Sequence, residues 1–336
     1  MSGIAFEQVN RWMNTVNLQL AHYKTKAVLI TSRKKLETIT LEVGEQRITS
    51  QPFIRYLGVT IDVRLSFKQQ VEHVSAKASV VRASLTQLMP NVGGSKQNRR
   101  RLLSSVVTSI LTYEISISAD ALKIHEAWRK ARPIYRLNAL IVTSAFRTIS
   151  QEAVCVISET LPLRVIAAER RALYHRKRST ALSAEELSIE ERQNSTSRWQ
   201  LQWDAAAKGR CTHRLIPRID VWINRSYGEV NYYLTHMLSG HGCFRAYLHR
   251  FKHNDSPEYR SCPGVIEDEE HAFFECPRFS QKREELKMVP NQNIQPETIV
   301  DAMLSSEASW NPISTFAAEV LIDLRSIERR RANDAN

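Results

Sequence analysis

The spacing of apolar residues divides the chain into a short strand-rich part and a long helical part. Apolar residues at positions 4, 9, 12, 16 and 20 recur at helical spacing and predict a helix over residues 4–20. The period then changes, because residues 26–31, 38–49 and 53–62 are short β-rich runs and the second contains a turn with glycine. We therefore expect a small antiparallel α+β unit at the start of the chain.

From residue 71 onward the period is mostly helical. Apolar residues between 71 and 88 step by three and four before Pro90, and the next predicted helix starts at about residue 99. Further helices are predicted within residues 122–178, around Trp199 and Trp203, and within residues 313–332. Residues 179–197 are polar and fit either a charged helix or a linker, and we favour a domain boundary near them.

The composition of the chain indicates an anionic partner. The 336 residues have room for two or three domains, and an apolar share of 43% is enough to build a core. A formal net charge of +12 favours nucleic acid as the partner, the alternative being a protein that is merely basic. No apolar run is long enough to span a bilayer and no secretory signal is recognisable, so we expect no membrane partner. Five cysteines do not indicate a disulfide framework, and a reducing intracellular compartment is expected.

Cys262, His271 and Cys276 form a C-x8-H-x4-C pattern, which supplies three of the four ligands of a structural zinc site. A C-x2-C turn would place the fourth ligand at position 259, which is Tyr259. Three interpretations are open: a zinc site with a substitute ligand, a decayed site that binds zinc weakly or not at all, and buried polar groups that never bound metal. The substitute would be water or one of three nearby side chains: His253, Asp255 and Cys243.

Several motifs occur in an order typical of one family. They are AHYKTKAVLITSRK (21–34), the run from QPFIRYLGVTID to MPNVGG (51–94), AFRTIS (145–150), LSGHGCFRAYLHRF (238–251) and the Cys/His cluster. Together they resemble the C-terminal half of the reverse-transcriptase polyprotein of insect non-LTR retrotransposons of the R1 and Jockey type. The resemblance covers about residues 4 to 290.

The resemblance implies roles for individual residues. Lys24 matches a palm lysine near the incoming nucleotide, although Lys26 stands where an acid is usual. Tyr56, Leu57 and Gly58 match the hairpin that grips the primer end. The implied fold is α+β, a small antiparallel palm remnant followed by a mostly helical thumb and linker and a zinc-knuckle-like module. The expected divisions are a palm remnant (1–70), a thumb-like domain (71–180), a helical linker (181–240), a knuckle-like module (241–290) and a helical tail (291–336).

The carboxylates of two-metal nucleotidyl transfer are missing from this sequence. That chemistry needs acids that converge on two cations, and no Asp-Asp pair occurs here. We therefore expect a fragment of an RNA-directed DNA polymerase that has no catalytic residue of its own, with Mg²⁺ relevant only to the full-length parent. Zinc is the candidate cofactor of the incomplete Cys/His site.

The expected partners are RNA and DNA, with the palm and endonuclease parts upstream in the parent, in the cytoplasm and nucleus if the chain is expressed. The candidate nucleic-acid contacts form two basic clusters, each of which fits a solvated charged face equally well. They are Arg99, Arg100 and Arg101, and Arg170, Arg171, Arg176, Lys177 and Arg178. The alternative function is an inactive retroelement relic or a helical interaction scaffold with no nucleic-acid role.

Overall fold

The computed structural model describes residues 2–19, 21–35, 37–43, 46–92, 94–259, 262–287 and 294–334. Over these residues the chain is α+β, as predicted, because most of it is helical and its strands form short antiparallel pairs.

The N-terminal part contains one helix and two separate hairpins. Its elements are α1 (Ser2–Thr15), β1 (Thr40–Val43), β2 (Gln46–Thr49), β3 (Phe53–Tyr56) and β4 (Val59–Asp62). β1 pairs with β2 and β3 with β4, both antiparallel. The helix predicted over 4–20 ends earlier, at Thr15. The strand predicted over 26–31 was wrong, since that segment forms only an isolated parallel bridge between Val28 and Gln51.

A bundle of three helices follows. The elements are α2 (Lys68–Gln87), α3 (Gln97–Leu111), α4 (Ile115–Ser118), a 3-10 turn (Ala119–Lys123) and α5 (His125–Thr143). α2, α3 and α5 pack against one another in pairs, and we call them the three-helix bundle. Buried Val71, Ala78 and Val107 lie in its core. The periodicity over 71–88 is thereby confirmed as a helix that ends before Pro90.

Asp62 joins the second hairpin to the three-helix bundle. Its carboxylate accepts hydrogen bonds from the backbone amides of Arg64 (3.0 Å), Ser66 (3.1 Å) and Phe67 (2.8 Å). Burial acts to raise the pKa of Asp62, but the hydrogen bonds from these amides together outweigh it and hold that pKa below its usual value. The hairpin is therefore attached to the start of α2 through an ionised carboxylate.

The middle of the chain is helical throughout. Its elements are α6 (Gln151–Ile157), α7 (Leu163–Arg176), α8 (Ala184–Asp204), α9 (Arg210–Leu215), α10 (Ile219–Ile223), α11 (Tyr232–Ser239) and α12 (Arg245–Arg250). Of the two alternatives for residues 179–197, the charged helix is the one observed, because α8 packs on α7. A capping box formed by Ser183 and Glu186 starts α8, and Trp199 and Trp203 are buried at its end.

The C-terminal part contains the Cys/His segment and the last three helices. Its elements are β5 (Glu258–Tyr259), β6 (Cys262–Ile266), a π-helical turn (His271–Glu275), a 3-10 turn (Pro277–Phe279), α13 (Ser280–Lys287), α14 (Ile299–Ser305) and α15 (Glu307–Asp334). The long α15 packs against α11, α13 and α14. Buried apolar side chains form a single cluster from Val71 to Leu324, so the C-terminal helix belongs to the main core.

Among the described helices, no single one is long and apolar enough to cross a membrane. The bent pair Gln97–Leu111 and Ile115–Lys123, taken together, has the length and composition of a membrane span.

Candidate metal centre and basic surfaces

The three residues of the C-x8-H-x4-C pattern converge in space. The candidate ligand atoms of Cys262, His271 and Cys276 all lie within 4.8 Å of one another. The two sulfur atoms are 3.9 Å apart. Two thiolates on one tetrahedral zinc, each about 2.3 Å from the metal, would lie about 3.8 Å apart. The spacing therefore fits a shared metal ion with almost no movement of either side chain.

Local structure explains why these three side chains meet. Cys262 opens β6, while His271 and Cys276 lie at the start and just beyond the end of the π-helical turn. The Asp268 carboxylate accepts a hydrogen bond from the His271 amide at 2.8 Å, and the Cys276 amide donates to the His271 carbonyl at 2.7 Å. This tight turn brings the imidazole and the second thiol to the same side, facing the strand that carries the first.

The Cys/His segment is attached to the protein core by aromatic rings. Phe273 and Phe279 are buried, and Phe274 packs against the same cluster. The Phe273 ring lies 6.0 Å from Phe244 and 6.0 Å from Phe316 of α15, both in edge-on geometry. The segment is therefore part of the main fold and not an independent finger.

The electrostatics of the trio favour a metal over free thiolates. Burial raises the pKa of the Cys276 thiol, and the neighbouring Cys262 raises it further. A metal ion would offset both effects, because it binds the thiolate form. The Glu275 carboxylate lies 3.6 Å from Nδ1 of His271. A carboxylate in this place can orient a metal-bound imidazole through its other nitrogen.

The described residues supply no fourth ligand from the expected candidates. His253, Asp255 and Cys243 do not join the group of potential ligands. Cys243 is directed elsewhere, since its sulfur lies 3.8 Å from the Leu321 carbonyl and burial raises its pKa to about 11. The backbone of Tyr259 pairs directly with Cys262 across the β5–β6 hairpin. Of the substitutes proposed from the sequence, water is the one compatible with this arrangement.

The hairpin residues singled out by resemblance form an exposed turn. Leu57 and Gly58 both have positive φ, 46° and 83°, which closes a two-residue turn between β3 and β4. Tyr56 and Leu57 are exposed, and the Tyr113 hydroxyl donates to the Leu57 carbonyl at 2.9 Å. Tyr113 therefore holds the turn against the end of α3. Lys24 is exposed at the end of a 3-10 turn and makes no hydrogen bond or ion pair to the hairpin within the described part of the chain.

The first basic cluster divides into three different environments. Arg99 is exposed and has no acidic partner among the described residues. Arg100 is buried, and its guanidinium donates to backbone carbonyls on both sides of the α2–α3 loop and in α5. Arg101 pairs with Glu159 at 2.7 Å. Because Arg100 is used inside the fold, we correct our expectation for it and leave it out of the proposed nucleic-acid surface.

Three members of the second basic cluster are already bonded to other residues of the fold. Arg170 donates to the Thr112 hydroxyl at 2.6 Å, and Arg171 pairs with Asp120. Arg176 pairs with Glu190 at 2.9 Å and with Glu191, and these two carboxylates raise its pKa. Two members have no acidic partner within the described ranges: Lys177 and Arg178, the latter lying over the Tyr174 ring at 5.4 Å.

Comparison with known proteins finds relatives encoded by R1 retrotransposable elements. A putative 115 kDa protein in the type-1 retrotransposable element R1DM of Drosophila melanogaster is 25% identical over 81% of this chain and 28% of its own length. A retrovirus-related Pol polyprotein from the type-1 retrotransposable element R1 2 of Nasonia vitripennis is 22% identical over 97% of this chain and 84% of its own length. The chain is related to R1-type non-LTR retrotransposon proteins.

The chain spans only part of the length of two of these relatives. The Pol polyprotein from element R1 4 of Nasonia vitripennis is 22% identical over 74% of this chain. The chain spans 66% of that relative and little more than a quarter of the Drosophila protein. No protein-family profile and no solved structure matches the chain.

Sequence reasoning missed two features of the structure. One is a cleft of ≈ 930 Å³ between the start of α3, residues 225–233 and α15. Its charges are mixed, since Arg101 and Arg225 both pair with Glu159 there, so it favours no single class of ligand. The other is a row of aromatic rings formed by AFRTIS and LSGHGCFRAYLHRF, motifs that gave no chemical signal of their own in the sequence.

Proposed function

We propose that this chain provides nucleic-acid-binding surfaces that accompany the catalytic palm of an R1-type reverse transcriptase. The observation that carries the proposal is the similarity to proteins named Pol polyproteins, which extends over 97% of the chain in one case. A net charge of +12 supports an anionic partner. In this proposal the second hairpin is the primer grip and the three-helix bundle is the thumb.

The surface for nucleic acid is built from the basic side chains that the fold leaves free. Arg99, Lys177 and Arg178 are exposed and have no acidic partner among the described residues. Ion-paired or buried arginines contribute less, because contact with a phosphate would require breaking a bond already made in the fold. We therefore assign phosphate contacts to these three residues and not to the whole of both basic clusters.

A salt titration tests this assignment. We expect the full chain to bind a labelled DNA duplex with a steep dependence of log K on log salt. Replacing Arg99, Lys177 and Arg178 with alanine should lower the magnitude of the slope by up to about 2.7, at about 0.9 for each lost phosphate contact.

The control is a triple alanine variant of exposed arginines that already have acidic partners: Arg33, Arg47 and Arg218. It removes the same net charge and should leave the slope nearly unchanged. Equal effects in the two triple variants would show that only overall charge matters. A wild-type chain that binds neither DNA nor RNA would favour the alternative, a relic or scaffold without a nucleic-acid role.

We also propose that the Cys/His trio holds zinc through three protein ligands, with solvent in the fourth position. The sulfur spacing of 3.9 Å and the carboxylate beside His271 support this. The metal would tie β6 to the π-helical turn. We assign no polymerase activity to the chain alone, because the sequence has no Asp-Asp pair. Incorporation of nucleotides on a primed RNA template by the purified chain, with Mg²⁺ or Mn²⁺, would contradict this assignment.

A further inference from the structure

Three aromatic rings lie side by side between two segments that are far apart in the sequence. The Phe146 and Tyr247 rings are 6.3 Å apart and nearly parallel, at an interplanar angle of 23°. The Tyr247 and Phe251 rings are 4.9 Å apart. Phe146 is 37% exposed and Phe251 is 40% exposed, so both ends of the row reach solvent.

Arginines lie at both ends of the row. Arg147 follows Phe146 directly, is exposed, and has no acidic partner within the described ranges. The Arg250 guanidinium lies 5.6 Å from the Tyr247 ring and 5.3 Å from the Phe251 ring. We call Phe146, Arg147, Tyr247, Arg250 and Phe251 the ring–arginine surface.

A second arginine increases the positive charge near Arg147. Burial lowers the pKa of the Arg82 guanidinium on α2, and the nearby charge of Arg147 lowers that pKa further. The Arg82 Nε is buried and has no hydrogen-bond partner among the described residues. The acids that face the surroundings of this surface are Glu152, near Arg136, and Glu269, near His241. The combined positive charge of the two arginines favours an anion at this place.

The surface is held in place by contacts behind it. The Arg136 guanidinium donates to the carbonyls of Arg147 and Ile149, which fixes the loop that presents Phe146. The hydroxyls of Thr148 and Tyr247 are 2.6 Å apart and join the two segments directly. The rings are therefore presented by a fixed backbone, which lowers the entropy cost of binding.

We propose that the ring–arginine surface binds single-stranded nucleic acid by stacking bases on the rings and pairing phosphates with Arg147 and Arg250. This proposal rests on the proposed function and specifies that the surface binds the single-stranded form. Partly exposed rings beside arginines match the surfaces on which single strands bind, because each base can stack on a ring and each linkage carries a charge. A duplex hides its base faces inside the helix, so it gains only the phosphate contacts.

The test compares a labelled single-stranded oligonucleotide with a duplex of the same length, using fluorescence anisotropy on the full chain. We expect the double variant Phe146→Leu and Phe251→Leu, which keeps apolar side chains but removes two rings, to bind the single strand about tenfold more weakly. Its affinity for the duplex should change less than about twofold. Phe251→Trp, which keeps a ring, should bind the single strand at least as well as the wild type. Leu201→Ala, at a position 71% exposed on α8, is the control for loss of a surface apolar group.

The double variant Arg147→Gln and Arg250→Gln separates charge from stacking. It should reduce the salt slope for the single strand by up to about 1.4, while the ring variant should leave that slope unchanged. A ring variant with wild-type affinity for the single strand would overturn the proposal, as would an equal loss on both ligands. In either case duplex binding by the wild type would leave the proposed function standing, whereas a wild type that binds no nucleic acid would remove both.

Discussion

Replacing Arg100 with alanine tests whether the middle arginine of the first basic cluster supports the fold. Its guanidinium donates to the carbonyls of Ser95 (2.6 Å), Met89 (3.3 Å), Ile141 (3.1 Å) and Pro90. These carbonyls belong to the loop between α2 and α3 and to the last turn of α5. One side chain therefore closes the end of the three-helix bundle.

The expected loss follows from the acceptors that would lose their donor. The bonds to the Met89 and Ile141 carbonyls are buried, while those to Ser95 and Pro90 are partly open to water. A bond from a charged donor to a buried acceptor contributes about 1.5–3 kcal/mol, so the two buried bonds account for about 3–6 kcal/mol. Water at the opened end recovers part of this, and we expect Arg100→Ala to lower the free energy of unfolding by about 3–5 kcal/mol.

Urea unfolding followed by circular dichroism measures the change, and the neighbouring arginine provides the matched control. Arg99 is exposed, so Arg99→Ala should stay within about 0.5 kcal/mol of the wild type. Arg100→Lys keeps the charge but not the planar fork, and its stability should fall between the wild type and Arg100→Ala. If Arg100→Ala were as stable as Arg99→Ala and lost more nucleic-acid affinity, the internal role of Arg100 would be refuted.

Three further predictions concern the metal site, the hairpin and α8. Tyr259→Cys puts a thiol opposite Cys262 in the β5–β6 register, so the variant should hold zinc at least about tenfold more tightly than the wild type in chelator competition. Tight and equal affinity in the wild type and the variant would mean that the fourth ligand is already present. Asp62→Asn should lower the free energy of unfolding by about 1–2 kcal/mol at pH 7. Because the folded pKa of Asp62 is lowered, this difference from wild type should shrink as the pH falls below about 4. A difference that stays the same at every pH in urea titrations would contradict this. Ser183→Ala should lower stability by about 1 kcal/mol and Ser183→Asp should not, and a thermal scan that ranks them equally would exclude the capping box as a contributor.

Local patterns were enough to predict much of the fold. The periodicity over 71–88 gave α2 to within three residues at its start, because an amphipathic helix is encoded by its own sequence. The alternating apolar residues over 38–49 predicted two paired strands, and β1 and β2 pair there. The strand expected over 26–31 did not form, since a strand needs a continuous ladder of hydrogen bonds to a neighbour, and here there are only scattered ones, at Ala27 and Thr31.

The candidate site depended more on contacts between distant residues. Cys262, His271 and Cys276 were recognisable because metal-ligand spacing is a local property. The different environments of Arg99, Arg100 and Arg101 were not recognisable, because three adjacent arginines on a helix point in different directions and only tertiary packing decides which one meets carbonyls. The approach of Phe146 to Tyr247 likewise joins segments about a hundred residues apart and leaves no trace in either one alone.

The path of α15 bears on the cooperativity of folding. Phe316 touches the Phe273 ring of the Cys/His segment, and Trp310, further toward the start of the same helix, lies 5.9 Å from the Trp222 ring of α10. Elements that share one rigid helix tend to open together as a single unfolding unit. A ligand that binds only the closed form stabilises every element of such a unit in proportion to the logarithm of its concentration. Zinc at the trio would therefore slow hydrogen exchange at α10 as well as at the turn that holds the metal.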